Sequence, residues 1–210
     1  MMESYLTLKA AAEDRFTVHK SVFIGRAAPC AAESEALQMI RQAREQYKDA
    51  SHHCYAYIIG ENEGILRYSD DGEPGGTAGL PIISLMRSEK VVNCCVVVTR
   101  YFGGVLLGTG GLVRAYTQGC RLALDAAKIV RMEMTCRDLC DVPYPRWDRV
   151  QYTLERLPAR ITDVSYGASV SFTLLCRRKD HDAVLDALTQ AAQRELEFLP
   201  EEERFEAWET

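Results

Sequence analysis

The centre of this 210-residue chain carries two glycine-rich stretches, YSDDGEPGGTAGLPI (Tyr68–Ile82) and VVVTRYFGGVLLGTGGLVRAYT (Val96–Thr117). Nine of the 14 glycines in the protein fall within them. Glycine weakens regular secondary structure, so this density predicts unusual backbone dihedral angles or the close approach of another backbone or a ligand. We therefore expect the two stretches to fold into one exposed contact face.

Mixed strands and helices surround these stretches in the first 132 residues. The segment 33–48 predicts a helix whose buried face holds Leu37, Ile40, Ala43 and Tyr47. Thr77 is a candidate cap for a helix over 78–87, with Pro81 in its first turn. The β-branched run 91–100 predicts a strand buried on both faces. A last helix is expected over 112–127, with Val113 and Tyr116 on its packed face.

The remaining residues, 133–210, have a more regular rhythm. A strand near 137–142 precedes a helix that starts at Pro145, two strands flank Tyr166-Gly167, Asp180 is placed to cap a second helix, and ELEFL supplies a final strand. The order β-α-β-β-α-β is that of a ferredoxin-like sandwich. We therefore predict an α+β protein of two domains, 1–132 and 133–210.

Charge and composition limit the classes of function. Residues 1–132 hold 15 basic and 14 acidic side chains, whereas residues 133–210 hold 10 and 16. The acidic second part would repel a nucleic acid, so such a partner would need a local patch on the first part. No apolar run is long enough to cross a bilayer and no secretory signal is visible, which predicts a cytoplasmic protein without a membrane partner.

The eight cysteines contain no Cys-x-x-Cys pair, so they predict buried free thiols rather than a metal site or disulfides. His52, His53 and Cys54 adjoin one another, but neighbouring strand residues face opposite ways, which argues against a catalytic pair. His52 is instead expected to point towards the glycine-rich face. The sequence indicates no catalytic residues, metal or cofactor, and it leaves the oligomeric state open.

The second glycine cluster, which includes Gly110 and Gly111, opens a predicted helix. The N–H groups at such a helix end favour phosphate or another anion. The pattern lacks both the Lys-Ser/Thr of a P-loop and the G-x-G-x-x-G spacing of dinucleotide sites. The alternative is that these glycines allow tight turning and close packing of a helix on a sheet.

Arginines and aromatic residues flank both glycine clusters. Arg100 and Tyr101 precede Gly103 and Gly104. Arg114 and Tyr116 lie just beyond the second cluster. Such combinations grip phosphates and stack on bases or on a protein partner. We expect Arg100 and Arg114 on the surface, Arg67 beside them from a neighbouring strand, and Tyr116 in the core.

An acidic turn, formed by Asp70, Asp71 and Glu73, precedes Pro74. Clustered carboxylates can hold a hard cation or serve acid–base chemistry. The surrounding Asp-Gly and Pro-Gly-Gly sequences are also ordinary turn chemistry. We expect an ion pair from this turn to Arg100 or Arg114 in preference to a metal.

These motifs resemble the YigZ/IMPACT family, most clearly its bacterial YigZ-type members. The resemblance lies in Ser21-x-Phe23, in His52 with Cys54-Tyr55-Ala56-Tyr57, in residues 69–82 and in residues 98–117. It is weaker in the second domain, where Val142-Pro143-Tyr144 carries it. The positions matching the family motif are His52, Asp70, Asp71, Glu73, Arg100, Tyr101, Gly103, Gly104, Gly110, Gly111, Arg114 and Tyr116.

The resemblance implies an N-terminal α/β domain like domain four of elongation factor G and a ferredoxin-like domain like its domain five. It also implies a translation-linked, non-enzymatic binding protein that contacts RNA, the ribosome or a translation-related protein. Eukaryotic relatives bind an activator of a stress-response kinase. Those relatives have a different appended domain, so we do not expect the same partner for this chain. Two alternatives stay open. One is an enzyme acting on a phosphorylated small molecule, with the glycine loop as anion cradle, and the other is a scaffold acting through the second domain.

Overall fold

The computed structural model describes residues 3–208, which form two compact units. The N-terminal unit comprises Tyr5–Arg131, and the C-terminal unit comprises Met132–Trp208 together with residues 3–4. Within residues 3–208 the chain forms two β-sheets and five α-helices, so the predicted α+β class is confirmed. In this part of the chain no helix is both long and apolar enough to span a membrane.

The N-terminal unit is built on a five-stranded sheet. Strand β1 (Ser4–Leu8) comes first in the chain, and the sheet itself consists of β2 (Ala12–Val18), β3 (Ser21–Pro29), β4 (His52–Ile59), β5 (Ile65–Ser69) and β6 (Cys94–Tyr101). Its order is β2-β3-β6-β4-β5, with every neighbouring pair antiparallel. The β-branched run therefore forms the central strand, and Cys94–Arg100 are all buried, as predicted for a strand covered on both faces.

Three helices cover the two faces of this sheet. Helix α1 (Glu33–Gln46) packs on one face, while α2 (Gly79–Ser88) and α3 (Gly108–Ala127) share the core on the other. The predicted buried face of α1 was wrong at Leu37, which is 40% exposed, because the helix turns Ala36, Met39, Ile40 and Ala43 inwards. Val113 of α3 is likewise 38% exposed, whereas Tyr116 is fully buried.

Helix α3 lies directly on strand β3 at a pair of glycines. A Cβ atom added to Gly25 would lie 2.1 Å from the carbonyl oxygen of Gly119, and one added to Gly119 would lie 2.8 Å from Val98. Real Cβ atoms do not approach so closely, so only glycine fits at both positions. The contact fixes the distance between α3 and the sheet, and so the place of its amino end.

The C-terminal unit has the ferredoxin-like order. It consists of β7 (Ile129–Val142), α4 (Tyr144–Leu154), β8 (Ala159–Tyr166), β9 (Val170–Arg177), α5 (His181–Ala192), β10 (Phe198–Pro200) and β11 (Arg204–Trp208). Strand β9 lies between β7 and β8, and β10 and β11 pair with β7. The two helices cover one face of this sheet, where Trp147, Val150 and Leu188 pack against Phe172.

Two features of this unit differ from expectation. Asp180 does not cap α5 with its side chain, because its Oδ2 accepts a 2.8 Å hydrogen bond from Arg177 Nε. Strand β11 follows the predicted final strand, and Trp208 at its end donates to Thr135 Oγ1 at 2.9 Å. The acidic composition of this segment concealed the strand.

Candidate functional site

The acidic turn between β5 and α2 is organised by Asp70. Its Oδ1 accepts hydrogen bonds from the backbone N–H groups of Ala78 (3.0 Å) and Gly79 (2.8 Å), and its Oδ2 accepts one from Gly76 (2.9 Å). Asp70 thus caps α2 from nine residues upstream, satisfying donors that a helix leaves free at its start. The predicted capping by Thr77 was wrong, since its hydroxyl donates to Pro74 O instead.

Asp71 connects the same turn to α1 and β4. Its Oδ1 lies 2.7 Å from Arg44 Nη2, and its Oδ2 accepts from the backbone N–H of His53 at 2.7 Å. Its carbonyl oxygen lies 2.9 Å from His52 Nδ1. A carbonyl only accepts, so this contact places a proton on Nδ1 and leaves the lone pair of the neutral ring on Nε2.

Glu73 is the buried acid of the turn. Its Oε1 accepts from Arg100 Nη1 and from the Tyr116 hydroxyl, both at 2.7 Å. The expected ion pair to Arg100 is therefore present. Burial is the main cause that raises the pKa of Tyr116, so its phenol stays protonated and remains a donor. Among residues 3–208 no group of three His, Cys, Asp or Glu side chains is arranged to hold a metal.

Arg100 lies near two aromatic rings. Its Cζ lies 5.5 Å from the centre of the Phe23 ring and 5.4 Å from that of Phe102, within the range of cation–π attraction. Nη2 makes a long contact of 3.4 Å to Ser21 Oγ, and Nε has no acceptor in the described part of the chain. Arg100 is only 5% exposed, so its expected place on the surface was wrong.

An open cleft of about 410 Å³ lies over this buried network and is here called the α3 cleft. His52, Glu73 and Arg100 supply its polar groups, and the backbone of Gly108 and Thr109 brings the amino end of α3 to it. Its apolar lining consists of Pro74, Phe102, Leu106, Leu107 and Leu112. The cleft thus combines a buried ion pair, a histidine and a helix amino end with apolar walls.

The predicted glycines serve different purposes. A Cβ atom on Gly103 would lie 2.1 Å from the carbonyl carbon of Lys20, so this glycine lets the loop after β6 pack on the β2–β3 turn. Gly104 has φ +79° with open space around it. Gly110 and Gly111 lie in the first turn of α3, where a side chain at Gly111 would crowd Leu107 at 3.0 Å. Both tight packing and helix opening therefore explain the cluster.

Of the thirteen predicted site residues, only His52, Glu73 and Arg100 are among those that line the cleft. The side chains of neighbouring strand residues alternate, so Tyr101 lies on the α1 side of the sheet, where its hydroxyl donates to Asp49 at 2.9 Å. Arg67 is exposed on β5 and donates to the carbonyl of its neighbour Leu66. Arg114 is exposed on α3 and is not among the cleft residues.

The sequence interpretation missed the apolar character of the loop after β6. Phe102 is 48% exposed, Val105 40% and Leu106 86%, and these three residues are called the apolar rim. On the other side of the first turns of α3, a second groove of about 460 Å³ is lined mainly by apolar groups, including Leu80 and Val113. A run of large apolar residues inside a glycine loop was the signal available in the sequence.

Comparison with known proteins gives two family matches and several full-length relatives. Residues 19–124 match the Impact N-terminal domain, and residues 140–193 match a domain of unknown function, DUF1949. The chain is 33% identical over 190 residues to "IMPACT family member YvyE" of Bacillus subtilis (strain 168), covering 90% of this chain and 88% of that protein. It is 34% identical over 171 residues to "IMPACT family member YigZ" of Escherichia coli (strain K12), covering 80% and 84%.

Two further matches show how far the similarity extends. Human "Protein IMPACT" is 35% identical over 97 residues, which is 44% of this chain and 30% of that protein. A solved structure titled "Crystal structure of an hypothetical protein" is 30% identical, with a TM-score of 0.61 over 96% of this chain and 99% of that one. The similarity to this solved structure thus covers both units, whereas the human protein shares a smaller region.

Proposed function

The chain belongs to the IMPACT family, and from that premise we propose that it is a translation-linked binding protein that docks on a protein of the translation apparatus. The link to translation rests on the resemblance to the IMPACT family. The apolar rim carries the choice of a protein as partner, because Phe102, Val105 and Leu106 expose large apolar side chains within five residues. Adjacent apolar groups on a soluble surface mark a protein contact more often than a phosphate contact.

The buried state of Arg100 argues against a contact made chiefly through RNA phosphates. Its charge is paired with Glu73 at 2.7 Å and is shielded from water. Of the three predicted arginines, Arg67 and Arg114 are exposed, and neither lines the α3 cleft. Each phosphate contact gives a salt slope of roughly −0.7 for single strands, so few contacts predict a weak dependence on salt.

The enzymatic alternative has less support from the geometry of the acids. Asp70 directs both oxygens at backbone N–H groups, and Asp71 divides its oxygens between Arg44 and His53. Neither carboxylate is therefore available as a base or a metal ligand without dismantling the turn. The scaffold alternative predicts that binding requires the second domain, and a chain truncated after Arg131 separates it from the proposal.

The proposal is tested by binding to purified ribosomes and translation factors, with a photo-crosslinking amino acid in place of Val105. We expect crosslinks to protein, and binding that persists when the salt concentration rises from 0.1 to about 0.5 M, where phosphate contacts are strongly weakened. Leu106→Ser should weaken binding about tenfold, because burying one leucine contributes roughly 1.5–3 kcal/mol.

Leu199→Ser is the matched control, since this leucine is 50% exposed in the C-terminal unit. It should leave binding unchanged. Crosslinks confined to ribosomal RNA, or a steep loss of binding with salt, would show that phosphate contacts dominate and would refute docking on a protein. Equal losses from both leucine variants would refute the role of the apolar rim.

A further inference from the structure

The α3 cleft holds three polar atoms whose hydrogen-bonding capacity is unused. Arg100 Nε is a buried donor without an acceptor in residues 3–208. Glu73 uses Oε1 for both of its hydrogen bonds, which leaves Oε2 as an acceptor, although its side chain is only 3% exposed. His52 Nε2, which has a lone pair when the ring is neutral, lies 3.9 Å from Glu73 Oε1. Buried polar groups are nearly always paired, so the buried and unpaired Arg100 Nε indicates a ligand, and the other two atoms are the acceptors that such a ligand would meet.

The charges of the cleft select the kind of ligand. The guanidinium of Arg100 and the carboxylate of Glu73 cancel each other at 2.7 Å, and His52 is neutral when its Nε2 carries a lone pair. A simple cation or anion in the cleft would be attracted by one of these two charged side chains and repelled by the other. A neutral group that brings one acceptor and two donors of its own would satisfy all three atoms.

The walls of the cleft select a flat ring. Pro74, Leu107 and Leu112 are apolar, and Phe102 offers a half-exposed aromatic face. Bases read in single strands stack on aromatic side chains while polar groups read their Watson–Crick edges. That edge of guanine presents the O6 acceptor beside the N1–H and N2–H donors. Adenine, uracil and cytosine do not offer one acceptor next to two donors.

Phe102 is the half-exposed aromatic residue beside Arg100. Phe23 and Phe102 lie on the guanidinium, and Phe23 is fully buried whereas Phe102 is not. Rotation of Phe102 about its side-chain bonds would expose Nε to an incoming carbonyl oxygen. The same ring would then be free to stack on the base that brings it.

The amino end of α3 supplies a place for a phosphate at the same cleft. This helix is 20 residues long, and among residues 3–208 no side chain caps it. Gly108 and Thr109 line the cleft, so its free N–H groups and the positive end of its dipole lie beside the apolar walls. The cleft volume of about 410 Å³ falls within the range of small-molecule sites.

We propose that the α3 cleft is a guanine nucleotide site, with O6 accepting from Arg100 Nε, the N1–H and N2–H groups donating to Glu73 Oε2 and His52 Nε2, and the 5′-phosphate at the amino end of α3. This inference goes beyond the docking proposal: Phe102 and Leu106 belong to both the apolar rim and the cleft, but docking through the rim needs no nucleotide. The guanine 5′-phosphate comes either from a free nucleotide or from an unpaired guanosine in RNA.

Calorimetric titration of the full chain tests the site with GMP, IMP, AMP and guanosine. GMP should bind most tightly. IMP lacks the N2 amine and should bind about tenfold more weakly, because one buried acceptor stays unpaired. AMP should bind at least about a hundredfold more weakly, since its N6 amine and its N1 atom mismatch two of the three cleft atoms and it has no N2 amine for the third. Absence of GMP binding at millimolar concentration, or equal binding of AMP and GMP, would overturn the proposal.

Variants separate the phosphate contact from the base contact. Thr109→Glu places a carboxylate in the first turn of α3, where it suits the helix dipole and repels phosphate. It should lower the affinity for GMP to that for guanosine, which itself should be unchanged. Thr117→Glu, two turns further along, is the control and should leave both affinities unchanged. Loss of guanosine binding by Thr109→Glu, or no effect on GMP, would contradict the assigned phosphate position.

The RNA source is distinguished with the pentanucleotides UUGUU and UUUUU. Tighter binding of UUGUU than of GMP assigns the site to RNA, and tighter binding of GMP assigns it to free nucleotide. Equal binding of the two pentanucleotides, together with no GMP binding, overturns the guanine site. Crosslinking through the apolar rim is read independently, so failure here leaves the docking proposal intact.

Discussion

Replacing Glu73 with alanine would leave two buried donors without their acceptor. Arg100 is 5% exposed and Tyr116 is fully buried, and both donate to the same carboxylate oxygen at 2.7 Å. Breaking a buried ion pair by removing one partner costs roughly 3–5 kcal/mol, and an unpaired buried hydroxyl costs roughly 1–3 kcal/mol. Both costs arise from the loss of the same carboxylate oxygen, so they are not additive. We expect Glu73→Ala to destabilise the N-terminal unit by about 4 kcal/mol.

Hydrogen exchange of the β6 amide groups measures this loss within the N-terminal unit. A destabilisation of about 4 kcal/mol corresponds to roughly a thousandfold faster exchange, at 1.36 kcal/mol per factor of ten. Tryptophan fluorescence, which comes from Trp147 and Trp208 of the C-terminal unit, serves as the internal reference and should not change. Tyr116→Phe removes one neutral donor and leaves no charge unpaired, so it should cost only about 1 kcal/mol.

The double variant Glu73→Ala, Arg100→Met tests the reason for the loss. Removing both charges leaves no unpaired ion, so the double variant should be at least about 2 kcal/mol more stable than Glu73→Ala alone. If the double variant is as unstable as the sum of the two single variants, or if Glu73→Ala costs less than about 1 kcal/mol, the buried pair does not contribute as described.

Helix capping, glycine packing and thiol burial in this structure each predict a further outcome. Asp70→Ala frees three N–H groups at the start of α2 and should cost about 2 kcal/mol in urea unfolding, while Asp70→Asn should cost less; equal costs would contradict the capping role. Gly103→Ala forces a Cβ atom to within 2.1 Å of the backbone and should lower the free energy of unfolding by more than about 3 kcal/mol. Gly104→Ala, whose surroundings are open, should lower it by about 1 kcal/mol. The reverse ranking in the same assay would refute the close contact. Burial raises the pKa of the cysteine thiols, that of Cys140 to about 12, so few of them are thiolates at pH 8. A disulfide-exchange reagent at pH 8 should therefore react slowly with the native protein and rapidly after unfolding. Fast reaction of the native protein would disprove the burial of the thiols.

Local patterns in the sequence predicted the elements better than they predicted the site. The β-branched run 91–100 identified the central strand because burial on both faces needs no information from elsewhere in the chain. Helical periodicity located α1, but several candidate faces contained apolar residues, and only packing on the sheet decides that Leu37 stays outside. The order of the second unit was predicted because its strands and helices alternate clearly.

The candidate site depended on contacts that no local pattern contains. Glu73 and Arg100 are 27 positions apart, so their pairing was one of several possible ion pairs until the sheet brought them together. The capping of α2 by Asp70 was missed because the usual cap lies directly before the helix, where Thr77 stands. The burial of Arg100 was missed because arginine is rarely enclosed without a buried partner.

The contact between Gly25 and Gly119 limits how the protein can change over evolution. Where main chains touch with nothing between them, a neighbouring substitution has no room to be accommodated by a small shift of the helix. Mutational libraries should therefore find these two codons intolerant even of alanine, although both lie outside the cleft. Sequence change in this part of the fold is then left to the loops at the end of the sheet, over a helix that stays in one place.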